Sequence, residues 1–194
     1  MSNTADIYIH LERIANLVRA EARQIDANPS LQPVQIDILH YLSICNQHSD
    51  IPAAVTEYLG LTKGTVSQSL SILESKGYLV KVPDGTDKRV IHLVLTEKGQ
   101  SLVDSSLPPE SLKQGLQLMP PSQRDDLLAG LKKLLNSMQS ARDFRPFGTC
   151  RTCGYLETEE EGQKCTLTNL SLREHELDQL CREHVIKPTT GKPI

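Results

Sequence analysis

The chain has 194 residues, 38% hydrophobic and only 4% aromatic, with no tryptophan and a formal net charge of −3. That composition supports a core of Leu, Ile and Val and excludes a chain too polar to collapse. No stretch approaches the ~20 apolar residues of a membrane span. The opening Met-Ser-Asn-Thr-Ala-Asp has no basic segment followed by an apolar one, so no secretory signal is evident and a cytoplasmic protein is expected.

In chain order, Ile7, Leu11, Ile14, Leu17, Val18 and Ile25 recur at three or four residues and predict an N-terminal helix. Val34 to Cys45 gives a second helix through Ile36, Ile38, Leu39 and Leu42, with Cys45 as a small buried hydrophobe. Ile51 to Gly60 reads as a short helix, with Asp50 as its cap, Pro52 in its first turn and Gly60 as its stop. A three-residue turn leads to the next helix, which starts at Thr62, carries Val66, Leu70 and Leu73 on one stripe, and ends at Gly77. At about 100° per residue, Gly64, Ser67, Gln68 and Ser71 point away from that stripe. A merely solvated face more often carries Glu, Lys and Arg. Small polar side chains can instead approach base edges and phosphates closely.

Two short helices joined in this way form a helix-turn-helix. Tyr78–Val82 and Val90–Leu95 are β-branched, partly alternating runs around the charged, turn-rich Pro83–Arg89. Together these segments predict a winged helix.

The chain at this point resembles the MarR family of transcriptional regulators, over roughly residues 5 to 140. The resemblance rests on Thr62-Lys63-Gly64-Thr65-Val66-Ser67, Leu73-Glu74-Ser75-Lys76-Gly77-Tyr78-Leu79, Asp87-Lys88-Arg89 and Leu95-Thr96-Glu97-Lys98-Gly99. It implies an obligate homodimer with a winged-helix lobe in each subunit. It also implies recognition helices in successive major grooves of a pseudo-palindromic double-stranded operator, with wing arginines near the minor groove. Regulators of this family typically repress transcription and are released by a small-molecule ligand, an oxidant or a metal.

The residue chemistry assigns compatible roles. Lys63, Thr65 and Ser67 are expected to meet phosphates, which fix register, and Ser71 shares their face. Gln68 can reach a base, adenine being its usual partner. Arg89, with Lys88 beside it, can enter a narrow minor groove, and Asp87 is expected to orient Arg89 by a charge-assisted bond. Between Leu61 and Gly99 six basic residues face four acidic ones, a modest excess that predicts moderate, salt-sensitive affinity.

Thr96 is read as the cap of a helix reaching about Ser105, with a short helix near Glu110 to Leu118 between two Pro-Pro pairs. Ser122 with Asp125 resembles a capping box opening a helix with Leu127, Leu128, Leu131, Leu134, Leu135 and Met138 on its apolar side. This helix and the N-terminal one are expected to form the dimerisation module.

Residues 142–194 are not explained by the family pattern. Four of the five cysteines lie there, Cys150, Cys153, Cys165 and Cys181. Cys150 and Cys153 form Cys-x-x-Cys, a spacing that lets two thiolates grip one metal. Cys181 is read as lying on a helix opened by Ser171 and Glu174, with His184 on the same face as an alternative ligand or a supporting group. Large apolar groups are few, Phe144, Phe147, Tyr155 and several Leu, and a segment this small commonly needs a staple. A bound metal serves, because its binding energy becomes folding energy. Zinc is the first reading, and an iron–sulfur cluster on the same four cysteines is the alternative. A redox-active Cys150/Cys153 pair lacks a thioredoxin-like setting.

No His-Glu-x-x-His, phosphate-binding glycine loop or nucleophile elbow is present, so an enzyme is not expected. The fold class expected is mainly α with a small β-wing. Residues 1–141 would hold a winged-helix lobe at about 33–99 with dimerisation helices, and 142–194 a metal-stapled segment. The sequence reading predicts a DNA-binding regulator, most simply a repressor, whose cysteine centre stabilises it or modulates DNA binding. The alternatives are a redox or iron sensor and a winged helix that binds protein instead of DNA.

Overall fold

The computed structural model describes residues 3–25, 31–141, 146–159 and 162–186. Phe144 and the link around it lie outside the described residues, and only the backbone of Ile25 is described. The chain runs α1 (Asn3–Ile25), α2 (Pro33–Ile44), α3 (Pro52–Leu59), α4 (Lys63–Ser75), β1 (Leu79–Pro83), β2 (Ile91–Leu95), α5 (Glu97–Ser106), α6 (Glu110–Gln117) and α7 (Pro121–Ala141). A β-rich appendage follows, with β3 (Gly148–Thr149), β4 (Leu156–Glu159), β5 (Gly162–Cys165), β6 (Leu170–Leu172) and β7 (Leu180–Cys181). The protein is therefore mainly α with a small antiparallel wing, as the sequence predicts.

Local chemistry explains the helix-turn-helix. Pro52 occupies the first turn of α3, where its missing N–H costs nothing. Gly60 ends α3 at φ 63°, a left-handed conformation that glycine adopts cheaply. Thr62 then caps α4, its Oγ1 accepting the Thr65 N–H at 3.2 Å. Gly77, at φ 73°, turns the chain out of α4 into the wing. The wing is the hairpin β1–β2, registered Leu79 opposite Leu95 and Pro83 opposite Ile91.

One core holds these pieces together. Ile38, Leu39 and Tyr41 of α2 are fully buried against Ala54 and Val55 of α3 and Val66, Leu70 and Leu73 of α4. Leu79 and Leu93 of the wing and Val103 of α5 complete the cluster. Each fully buried aliphatic side chain contributes roughly 1.5–3 kcal/mol. The position of α4 and the wing is thus set by α2 behind them.

The close of the wing is equally constrained. Thr96 caps α5, accepting the Gly99 N–H at 3.1 Å, while its own hydroxyl donates to the Gly77 carbonyl at 2.7 Å. A Cβ on Gly99 would lie 2.1 Å from the Tyr78 carbonyl oxygen, so α5 can approach the exit of α4 only with glycine there.

Three expectations need correction. Asp50 does not cap α3: Ile51 holds the cap position with no side-chain bond, and the Asp50 carboxylate turns to His92 instead. A ring nitrogen that can carry charge outcompetes a backbone N–H for it. Ser122 does not open α7, which starts one residue earlier at Pro121, whose fixed φ suits the first turn. Nor does Ser171 open a helix bearing Cys181. Ser171 lies in β6, the chain makes only a short 3-10 turn over Glu174–Asp178, and Cys181 is in β7. Leu177 is buried there and Cys181 must pair with Gly148, which leaves no length for a helix.

The apolar sides of α1 and α7 do not close the subunit core. Ile7, Ile14 and Leu17 on α1, and Leu128, Leu131, Leu135 and Met138 on α7, are all exposed, and α7 buries no residue. No helix among the described residues is long and apolar enough to cross a membrane.

Candidate nucleic-acid interface and thiol cluster

Helix α4 has two distinct sides. Val66, Ser69, Leu70 and Leu73 are buried, whereas Lys63, Gly64, Thr65, Ser67, Gln68 and Ser71 are exposed together. The Ser71 hydroxyl donates back to the Ser67 carbonyl at 3.0 Å, which keeps it low on the helix surface. Thr62 and Thr65 hydroxyls lie 2.9 Å apart and continue this small polar surface to the helix start. A groove of about 360 Å³ separates α3, α4 and the wing, with Lys63, Ser67 and Lys81 on its walls. Lys81 was not singled out in the sequence; it leans on Glu74 at 2.7 Å.

The wing tip is a built turn. Asp84 Oδ1 accepts the N–H of Thr86 at 2.7 Å and that of Asp87 at 2.8 Å. Bonds from Thr86 and Asp87, with His92 behind, hold the Asp84 carboxyl well below the usual carboxylate range. Asp87 in turn accepts Arg89 Nε at 2.9 Å and Arg89 Nη2 at 2.8 Å, a two-bond clasp. The Arg89 side chain stays 91% exposed, held out from the tip with the remaining guanidinium N–H groups outside the clasp. Lys88 is exposed beside it.

Behind the tip, His92 bridges two elements. Its Nδ1 lies 2.5 Å from Asp50 Oδ1, between α2 and α3, and its Nε2 lies 3.2 Å from Asp84 Oδ2. Bonding to Asp50, then to Asp84, raises the His92 pKa above its ordinary value. The Leu93 N–H also donates to the Asp50 carbonyl at 2.7 Å. The wing root is thereby tied to the helix-turn-helix.

In the appendage, Cys150 and Cys153 are buried and Cys165 and Cys181 half-buried, all as free thiols. The four line one enclosed cavity of about 30 Å³, together with Tyr155, Thr168 and Leu172 from the appendage and Asn46 and His48 from the lobe. No three His, Cys, Asp or Glu side chains among the described residues are gathered tightly enough to hold an ion as they stand. Burial pushes the Cys150 thiol up to about 11, with the other three cysteines adding to the shift. Cys45, the cap residue at the end of α2, does not line that cavity; it is buried in the lobe core and bridges to Leu180, its thiol pushed up to about 12 by burial.

His184 is outside that cavity. Its Nδ1–H donates to the Pro146 carbonyl at 3.1 Å and its Nε2 lies 3.0 Å from Thr152 Oγ1. Its ring also packs on Gly148, where a Cβ would come within 2.7 Å. With both nitrogens engaged elsewhere, His184 props the Cys150–Thr152 turn and is not placed as a ligand.

The appendage is seated on α2 and α3. Arg182 Nε and Nη2 each bond Glu57 of α3 at 2.7 Å, and the Arg182 N–H donates to Ser49 Oγ at 2.8 Å. The Asn46 N–H donates to the Leu180 carbonyl at 2.9 Å. Phe147 stands edge-on to Tyr58 and Tyr41, with ring centroids 5.2 and 6.2 Å away. Sequence reasoning missed this seam, because Arg182 and Glu57 are 125 residues apart and carry no mutual signal.

The geometry described defines a winged-helix lobe of the kind found in DNA-binding regulators. Residues 30–90 match the model of the MarR family, so the lobe carries that family's sequence pattern as well as its fold. The chain is 33% identical over 75 residues to the uncharacterized HTH-type transcriptional regulator YkoM of Bacillus subtilis, covering 38% of this chain and 49% of that one. It is 29% identical over 93 residues to the transcriptional repressor MprA of Escherichia coli, covering 47% and 53% respectively. The chain thus spans about half the length of the curated relatives it matches. Among solved structures, FabT of Streptococcus pneumoniae, in complex with DNA, superposes with a TM-score of 0.59 at 23% identity. The match covers 72% of this chain and all of that one. At that identity the likeness establishes the fold.

Proposed function

We propose that the protein is a sequence-specific DNA-binding transcriptional regulator acting as a homodimer, most simply a repressor in the cytoplasm. The observation that carries this reading is the exposed, small polar side of α4 beside a wing that holds Arg89 outward. Gln68 reads a base edge, Lys63, Thr65 and Ser67 take phosphates, and Ser71 lines the approach. Lys88 and Arg89 meet the backbone and the minor groove. The relatives named above are transcriptional regulators, which favours this reading over a winged helix that binds protein.

The second subunit covers the exposed apolar stripes of α1 and α7. Two lobes on a two-fold axis then meet a pseudo-palindromic operator. The appendage supplies a four-cysteine centre that stabilises the lobe or adjusts its affinity. A metal, a small molecule or a redox signal would act there or at the dimer helices.

Selection of bound duplexes from a random pool, followed by titration at several salt concentrations, tests the reading. Gln68→Ala should cost about 1–3 kcal/mol and relax preference at one base position. Lys63→Ala should weaken all sequences alike and reduce the salt slope by about 1. Absence of duplex binding by the wild-type dimer would favour the protein-interaction reading instead.

A further inference from the structure

The four thiols converge although they come from different parts of the appendage. Cys150 and Cys153 bracket a tight turn in which the Cys153 N–H donates to the Cys150 carbonyl at 3.0 Å. Cys165 ends β5, and Cys181 lies in β7. All four reach the same small cavity. A further observation points to a ligand there. Thr168 lines this cavity, and its Oγ1 is buried with no hydrogen-bond partner among the described residues. A buried hydroxyl left unmatched costs about 1–3 kcal/mol, and a thiolate in the cavity would accept its hydrogen.

We infer that Cys150, Cys153, Cys165 and Cys181 bind one tetrahedral soft divalent ion, zinc in class, and that this ion locks the appendage onto the helix-turn-helix through the Arg182–Glu57 pair. The space among the four thiols, about 30 Å³, is small, which suits a single ion. A cluster of four irons and four sulfides would have to force it open. The sulfurs are not yet at bonding distance of a common point, so binding draws them inward by rotation of the thiol side chains and releases their protons to solvent.

Two of the groups around the ion, Asn46 and His48, belong to the connection between α2 and α3. The residue after Cys181 is Arg182, clasped to Glu57 on α3, whose far end leads through Gly60 into α4. Drawing Cys181 inward therefore fixes Arg182, and Arg182 fixes the helix that buttresses the reading helix. An emptied site leaves β7 held only by its short pairing with β3 and by its contacts on the lobe. The coupling to DNA rests on the DNA-binding reading above, whereas the metal site does not.

The test uses the full chain, purified anaerobically and stripped with a chelator. Zinc titration should give one ion per chain, and cobalt in its place should give the intense thiolate absorption of a tetrahedral site. Cys165→Ser and Cys181→Ser should each lose that signal. Failure to bind, or a brown protein with acid-labile sulfide, overturns the single-ion site. Loading with zinc should change operator affinity by at least about fivefold, the lower range of coupling between two sites. Glu57→Gln should keep the stoichiometry of one ion per chain and lose most of that change. Equal affinity of loaded and stripped protein overturns the coupling. Absence of DNA binding in both states overturns the DNA-binding reading and leaves the metal site standing on its own spectrum.

Discussion

Arg182 of the appendage clasps Glu57 of α3 through two bonds of 2.7 Å, joining the residue beside a clustered thiol to the first helix of the helix-turn-helix. Arg182 is well shielded and Glu57 about one-third exposed, with side-chain accessibilities of 18% and 35%. Charge-assisted bonds in such a setting are worth more than surface pairs, yet solvent still screens them. Arg182→Ala should lower stability by about 1–2 kcal/mol in denaturant unfolding. It should also speed hydrogen exchange at the Asn46 amide, which bonds Leu180 across the seam. Lysine should restore little, since it cannot make two parallel bonds to one carboxylate.

Gly99 makes a second prediction. Its hydrogen faces the Tyr78 carbonyl where a methyl would sit 2.1 Å away, and the neighbours that must yield are backbone. Thr96 and Lys98 pin the same crossing, by bonds to the carbonyls of Gly77 and Lys76. Gly99→Ala should destabilise by about 1–3 kcal/mol, as overpacking does. The accompanying fall in melting temperature should be several degrees. Gly115→Ala, on an exposed helix surface where nothing lies within 4 Å, should be neutral or slightly stabilising.

These two sites show what was legible beforehand. The glycines at 60 and 77 and the threonine caps at 62 and 96 act within a few residues, so the chain announces them. The polar side of α4 was legible for the same reason, as a helical period in one stretch. Asp50 was misread because its partner, His92, lies 42 residues away and outbids the local backbone. Cys181 was misplaced on a helix because Ser171 and Glu174 imitate a cap, whereas the pairing of β7 with β3 is a non-local demand. The convergence of the four cysteines was suggested by their chemistry, but the part played by Asn46, Ser49 and Glu57 of the lobe had no local signature.

The His92 bridge predicts a pH dependence. Its folded pKa is raised above the ordinary value of 6.5 by Asp50 and then Asp84. The charged imidazole bridge is therefore fully present below the unfolded pKa and is lost as pH rises through the folded one. Asp50 has its own pKa raised by burial, so removing the imidazolium charge leaves that carboxylate poorly compensated. Thermal stability should fall as pH rises from about 6 through neutrality, and His92→Gln should flatten that profile. A titration of the His92 ring by NMR that gave an ordinary or lowered pKa would remove the basis for the dependence.

The exposed stripes on α1 and α7 predict an assembly. Leu128 and Leu135 are each more than half exposed on a helix that buries nothing within its own subunit. Such a run of apolar side chains is costly in water and is removed by a matching copy. Light scattering during gel filtration should give a dimer for the parent chain and a monomer for Leu128→Glu with Leu135→Glu. The lobe core, centred on Leu39, Leu70 and Leu73, does not involve α7, so the far-ultraviolet spectrum should persist.

The clasp between Asp87 and Arg89 separates two contributions of the wing. Arg89 brings charge, and Asp87 brings direction through bonds of 2.8 and 2.9 Å. Arg89→Ala should weaken DNA binding by about 1–3 kcal/mol and reduce the salt slope, because a cation leaves the interface. Asp87→Asn removes a negative charge, which by itself favours DNA at low salt and is screened within about 10 Å at 0.1 M. It also frees a long, rotamer-rich side chain that must then be ordered on binding. At moderate salt the second effect should prevail, with affinity falling several-fold while the salt slope stays near that of the parent. If Asp87→Asn binds more tightly at every salt concentration, Asp87 acts as a repulsive charge and its orienting role is wrong.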